Sequence, residues 1–342
     1  MNKPVRFGFC PPIFAAPGNC RFRAPNYAQL DAQQTMVIAQ KADVLGYDSL
    51  WVADHLMLGK DEAILEGWTT LAALAGSTKR AQLGLIHQSN LMRNPALAAK
   101  MAATLDQISG GRLVHFFDMG NNAREHQAYG LPWSDEAETR VAMMEEALAL
   151  IIALWTETEP LSHQGKFYTL EGAICRPQPL QKPHPPIWIG EAKEGLLDLC
   201  AQHAQGWNSV PVGLAELERR LRALEAACRR RDRDMAEIEK SYETQILVAS
   251  SRSELRELLC GMVDLDASAM PDEELKAYLR GATDVLPESL SSTFLMGTPD
   301  EVEIQIRAYV DLGIDHFMLW FMDAPDDGGL SLFADEVIPR FR

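Results

Sequence analysis

The chain has 342 residues, 47% hydrophobic and 23% charged, with a formal net charge of −16, an ordinary globular composition. The acidic balance argues against nucleic acid or an anionic membrane as the main partner. No apolar run approaches the roughly 20 residues that a membrane span needs. Met1 to Val5 lead straight into a strand, which predicts no secretory signal and a cytoplasmic protein. The six cysteines (Cys10, Cys20, Cys175, Cys200, Cys228, Cys260) are scattered and form no C-x-x-C pair. That spacing predicts free thiols rather than zinc or disulfides.

In chain order the pattern alternates strand and helix. Val5–Cys10 reads as an apolar strand, Tyr27–Leu45 as a helix stopped by Gly46, and Ser49–Ala53 as the second strand. Gly67–Ser77 is a helix, Ala81–His87 the third strand, and Asn94-Pro95 opens a helix to Ile108. Arg112–Phe117 is the fourth strand and Arg140–Trp155 a long amphipathic helix. The proline-rich stretch His163–Pro186, with a hairpin at Gly165-Lys166-Phe167-Tyr168, cannot be one helix. Pro186–Gly190, Gly206–Val210 and Tyr242–Ala249 are strands five to seven, with a charged helix at Leu214–Arg231. Residues 250–292 read as an insertion or a helix with an extended loop, with Glu254, Glu257, Asp264 and Asp266 on a solvated surface. Asp300–Leu312 is a helix ended by Gly313, Asp315–Trp320 the eighth strand, and Leu330–Phe341 a closing helix. Eight strands alternating with helices predict an α/β fold, a single (β/α)8 TIM barrel over residues 1–342 with insertions near 157–185 and 250–292.

In such a barrel chemistry belongs at the carboxyl ends of the strands. That selects Cys10, Asp54-His55, His87-Gln88, Asp118 to Asn122, Gly190-Glu191 and Asn208-Ser209. Asp54 beside His55 suits an imidazole oriented for proton transfer, or a helix cap next to a polar gap filler. His87 reads as a ligand-facing imidazole or a hydrogen-bonded core histidine. Asp118-Met119-Gly120-Asn121-Asn122 reads as a loop that a flat ligand approaches, or as a plain turn. Glu125 and His126 read as caps, and Trp51, Trp188, Trp207 and Trp320 as packing. The set lacks a metal centre, a nucleophile elbow and a Walker loop, so a bound cofactor is the expected carrier of the chemistry.

Several segments in fixed order carry a resemblance. They are Leu45-Gly46-Tyr47-Asp48-Ser49-Leu50-Trp51-Val52-Ala53-Asp54-His55, Arg93-Asn94-Pro95, and Asp106-Gln107-Ile108-Ser109-Gly110-Gly111-Arg112. Gly165-Lys166-Phe167-Tyr168, Pro186-Ile187-Trp188-Ile189-Gly190, Gly206-Trp207-Asn208 and Gly297-Thr298-Pro299-Asp300 complete the series. Together they resemble the bacterial-luciferase-like family of flavin- or F420-dependent oxidoreductases. The resemblance implies a flavin-type ring at the carboxyl-terminal mouth of the barrel, with His55 as the active-site imidazole and Asp54 holding its tautomer. It also implies a non-proline cis peptide at Ile86-His87 under the ring. His87, Asp118 and Asn121 would line the pocket, and Gly190, Glu191, Lys193 and Asn208 would meet phosphate or ribityl groups. Two departures stand out: bulk at Phe117-Asp118 and a carboxylate at Glu191, where many members carry glycine.

The reading preferred from the sequence is a monooxygenase using reduced FMN, supplied by a flavin reductase, and O2 on a small organic substrate. The alternatives are F420-dependent hydride transfer and a non-catalytic flavin-binding barrel or partner subunit. A homodimer or higher homo-oligomer is expected through the helices beside strands two and three, with the apolar Leu71–Ala75 face as a compatible surface.

Overall fold

A computed structural model describes residues 4–18, 25–266 and 271–342. In chain order the strands are β1 (Arg6–Phe9), β2 (Ser49–Ala53), β3 (Gln82–Ile86), β4 (Leu113–Phe117), β5 (Leu161–Gln164), β6 (Thr169–Ala173), β7 (Ile187–Gly190), β8 (Gly206–Ser209), β9 (Glu239–Val248), β10 (Leu295–Gly297) and β11 (His316–Phe321). Parallel pairing runs β1-β2-β3-β4-β7-β8-β9-β11 and back to β1, closing an eight-stranded barrel. The (β/α)8 expectation therefore holds. One strand escaped the sequence pattern: β10 pairs with the outer end of β9, Leu295 to Gly297 against Ile246 to Val248. It is only three residues long, too short to show a period.

The helices around the barrel are α1 (Ala32–Leu45), α2 (Gly67–Ser77), α3 (Pro95–Ser109), α4 (Ala123–Ala128), α5 (Ala137–Thr156), α6 (Glu194–His203), α7 (Leu214–Arg230), α8 (Arg252–Asp264), α9 (Glu273–Leu279), α10 (Glu288–Ser291), α11 (Pro299–Asp311) and α12 (Gly328–Leu332). Their ends follow local chemistry. Asp31 accepts from the first N–H groups of α1, so that helix starts at Ala32 rather than Tyr27, and Gly46 ends it at φ 96°. Asn94 and Pro95 open α3 as the sequence predicts. The expected closing helix is shorter, since α12 gives way at Phe333 to a π turn and then a 3-10 turn.

Inside the barrel, large and small residues alternate between strands. A Cβ on Gly84 would stand 2.3 Å from the Trp51 ring, and one on Gly206 2.2 Å from Trp188. The tryptophans thus fill space that glycine leaves on the neighbouring strand. At the amino-terminal end a polar layer closes the floor. Glu239 accepts from Arg6 at 3.1 Å and pairs with His316 Nδ1 at 2.6 Å, while His316 Nε2 meets Ser49 Oγ at 2.8 Å.

Among the described residues, the stretches 157–185 and 250–292 both contain regular elements. β5 and β6 form an antiparallel hairpin whose turn is held by Glu146 of α5, which accepts from the N–H groups of Lys166, Phe167 and Tyr168. Asn90 donates to the Tyr168 hydroxyl at 3.1 Å, which ties the hairpin to the loop after β3. Helices α8 to α10 enclose a second apolar cluster with Leu247, Met296 and Met322.

The Leu71–Ala75 segment is split between two faces, with Ala72 and Ala73 exposed. Leu71, Leu74 and Ala75 are buried against the barrel, because they lie on the inward stripe of α2. The outward apolar surface of α2 and α3 is a groove of about 430 Å³ lined by Trp68, Ala72, Met101, Leu105 and Ile108. No helix among the described residues is long and apolar enough to cross a membrane. Cys10, Cys175, Cys200, Cys228 and Cys260 are free thiols, and Cys20 lies outside the described residues.

Candidate active site

Three charged clusters form at the carboxyl ends of the strands. In the first, Asp54 follows β2 and is almost fully buried. Arg93 grips its carboxylate with two bonds, 2.6 Å to Oδ2 and 2.9 Å to Oδ1, and gives a third at 2.8 Å to Glu66, the cap of α2. Burial pushes the Asp54 carboxyl up, and the guanidinium pulls against it. Asp54 therefore does not hold the ring of His55. It locks the end of β2 to the start of α2 and to the residue before the cap of α3.

The partner of His55 is Glu125, on α4. Its Oε2 lies 3.0 Å from His55 Nδ1, while Oε1 accepts from the N–H groups of Leu56 at 2.8 Å and Met57 at 2.9 Å. Burial works to raise the Glu125 carboxyl, but the bonds from His55, Met57 and Leu56 outweigh it and hold it below its ordinary value. With Nδ1 fixed, Nε2 has no hydrogen-bond partner among the described residues, and the ring is 21% exposed. The imidazole is thus oriented through Nδ1 with Nε2 unpaired, an arrangement chemically suited to proton exchange.

The second cluster spans the barrel interior. His87 adopts φ 59°, a left-handed backbone unusual for a side chain with a Cβ. Its Nε2 lies 2.7 Å from Glu243 of β9, and its Nδ1 lies 3.5 Å from Asp118. Glu243 also accepts from the Trp320 indole at 2.8 Å and from Asn208 at 3.4 Å. Burial opposes a charged His87, but Glu243 and Asp118 outweigh it and hold the imidazole protonated well above its ordinary value. The expected cis peptide at Ile86-His87 is absent. The cis bonds among the described residues are Arg176-Pro177, Lys182-Pro183 and Ala324-Pro325, and β3 ends instead through the positive φ of His87. β3 therefore offers no cis peptide on which a ring would rest.

The third cluster follows β7 and β8. Gly190 is buried against Phe116, and Glu191 sits at φ 72° with its carboxyl raised by burial. Lys193 does not neutralise Glu191; its amine faces Glu138 at 3.8 Å. Asn121 is exposed in the loop after β4, outside the His87 cluster. Lys193 and Gly213 stand at the N-caps of α6 and α7, and neither helix has a side-chain cap bond. Their free first-turn N–H groups suit an anionic group such as a phosphate.

The structure thus joins His87, Asp118 and Asn208, and separates Asp54 from His55. The sequence reading missed Glu243, Arg93 and the role of Glu125. Glu243 carried one signal, a carboxylate between Tyr242 and Thr244 in β9, a strand that continues into the apolar Ile246, Leu247 and Val248.

The three clusters gather ionisable groups at the carboxyl-terminal mouth of a (β/α)8 barrel, the end at which enzymes of this fold carry their active sites. Residues 18–316 match the family model for luciferase-like monooxygenases, and the chain belongs to that family. It is 28% identical over 328 residues to a phthiodiolone/phenolphthiodiolone dimycocerosates ketoreductase of Mycobacterium bovis, covering 81% of this chain and 84% of that protein. It is also 28% identical to an F420-dependent glucose-6-phosphate dehydrogenase of Beutenbergia cavernae, covering 93% of this chain and 95% of that protein. Among solved structures, the EDTA monooxygenase of Chelativorans sp. BNC1 superposes with a TM-score of 0.80 at 17% identity, covering 99% of this chain and 94% of that one. The chain is an oxidoreductase of the luciferase-like family.

Proposed function

We propose that this protein moves a hydride between an F420-type deazaflavin and a small carbonyl or alcohol substrate, with His55 as the general acid–base and Glu125 as its positioning residue. The observation that carries the reading is the 3.0 Å contact of His55 Nδ1 with Glu125, which leaves Nε2 free. Interconverting a carbonyl and an alcohol exchanges one proton for each hydride, and a fixed imidazole suits that exchange. Relatives named as a ketoreductase and as an F420-dependent dehydrogenase support the same chemistry.

The residues at the mouth fit a phosphate-bearing, flat cofactor. The uncapped starts of α6 and α7, with Lys193, would hold the phosphate. The paired charges of His87 and Glu243, with Asp118 and Asn208, would border the ring. When bound, the deazaflavin supplies or accepts the hydride. His55 Nε2 gives the proton to the substrate oxygen in reduction and takes it in oxidation. Glu125 stabilises the charged imidazole and fixes its tautomer. The hairpin of β5 and β6, tied to Asn90, would shield the mouth from water.

The test is a parallel optical titration of the purified protein with F420, FMN and reduced FMN. Binding of F420 in preference to both flavins, with activity lost in His55→Asn while F420 affinity stays, supports the proposal. Preference for reduced FMN replaces it with the monooxygenase reading. Cofactor binding with activity indifferent to His55 overturns the catalytic assignment.

A further inference from the structure

We infer that the groove between the loop after β1, helix α8 and the loop after β11 binds an organic ammonium ion carrying a short apolar body. The groove measures about 480 Å³, within the range of small-molecule sites. Four carboxylates line it, Asp323, Asp326, Glu254 and Glu257, with Leu258 and Met262 as apolar walls. No lysine or arginine is among its described lining residues. Among the described residues, nearby bases already have acceptors: Arg252 with Glu301, Arg256 with Asp284, Lys41 with Asp327, and Lys60 with the Ala28 carbonyl at the groove's edge, 3.4 Å away.

Asp323 gives the independent sign of a ligand. It is only 8% exposed and lies just past the carboxyl end of β11. Its Oδ2 accepts the Gly329 N–H at 2.8 Å, whereas its Oδ1 is buried and meets no donor. A buried acceptor without a donor is rare in folded proteins and calls for a partner. An ammonium group supplies both the missing donor and the opposite charge.

A metal ion fits worse, since no group of three or more His, Cys, Asp or Glu among the described residues could hold one. The apolar walls favour a cation with an aliphatic or aromatic body. Burial, helped by Asp326 and Asp327, lifts the Asp323 carboxyl to about 7. The other groups around it are Glu254 and Glu257 of α8, Tyr27, whose hydroxyl donates to Pro12, and Tyr47, whose hydroxyl donates to Leu330. Cation binding thus strengthens as pH rises through 7 and Asp323 ionises. The site shares the face of the barrel mouth but does not depend on which cofactor the mouth holds.

Calorimetric titration with n-hexylammonium chloride, against 1-hexanol, at low salt tests this. The expected result is saturable binding of the ammonium only, about tenfold tighter at pH 8 than at pH 6. Asp323→Asn should weaken it about tenfold and flatten the pH dependence. Should that variant misfold, the surface double variant Glu257→Gln/Asp326→Asn should still weaken binding several-fold and reduce its salt dependence. Equal binding of hexanol, no binding at millimolar ammonium, or affinity unchanged in the folded variants would overturn the site.

Discussion

Removing Arg93 tests whether Asp54 is held by the guanidinium rather than serving the neighbouring histidine. The side chain is 11% exposed and gives two bonds to an Asp54 that is 1% exposed. Arg93→Met therefore strands a buried carboxylate, which costs about 3–5 kcal/mol. Glu66 adds little, because its carboxylate is 40% exposed and reaches water. For a domain with about 5–15 kcal/mol of total stability this is a large share. With a urea m-value of about 3 kcal/mol/M, the unfolding midpoint should fall by about 1–1.7 M. Burial already raises the Asp54 carboxyl, and loss of the guanidinium raises it further. In the folded variant the group then keeps its proton above the pH at which the unfolded chain releases it. The stability loss should accordingly be greater at pH 8 than at pH 5. The double variant Arg93→Met/Asp54→Asn, which removes the stranded charge, should recover at least half of it. A loss under about 1 kcal/mol, a double variant no more stable than the single one, or an unchanged pH slope would refute the reasoning.

Glu125→Gln should lower kcat by about 10²–10⁴ and move one limb of the pH–rate profile, with little change in KM; an unmoved profile would remove Glu125 from the mechanism. His115 is buried, neither ring nitrogen has a partner, and burial pushes its pKa down to about 3. The unfolded imidazole binds a proton near 6.5, so below that pH this group subtracts about 1.4 kcal/mol of stability per unit until about 3. His115→Leu should flatten acid unfolding in that window, and an unchanged acid limb would show that His115 is hydrated. Gly84→Ala should cost about 1–3 kcal/mol by thermal melting, because its Cβ would stand 2.3 Å from the buried Trp51 ring. A neutral result there would mean that the Trp51–Gly84 contact is loose.

Much of the fold is legible because its signals are local. Gly46, Asn94-Pro95 and Gly110 mark helix ends by the chemistry of their own side chains and backbone, whereas the sequence pattern misses the Asp31 cap of α1 and begins that helix too early. Strand runs such as Ser49–Ala53 and Gln82–Ile86 are apolar because both faces are covered. β10 was missed because three residues carry no period, and its place depends on the outer end of β9.

The site divides the same way. The sequence determined which residues stand at the strand ends, because a βα repeat fixes that register: His55, His87, Asp118, Glu191 and Asn208 are all there. It could not determine their partners. Asp54 and His55 are adjacent in sequence, yet their side chains turn to Arg93 and to Glu125, 39 and 70 residues along the chain. His87 meets Glu243 from 156 residues away. Such pairings are set by closure of the barrel, which brings distant strands and loops around one axis, and by the cost of burying any charge without an opposite one. The tertiary structure alone therefore decided that the imidazole at the mouth is held by Glu125 and that the neighbouring aspartate secures the scaffold.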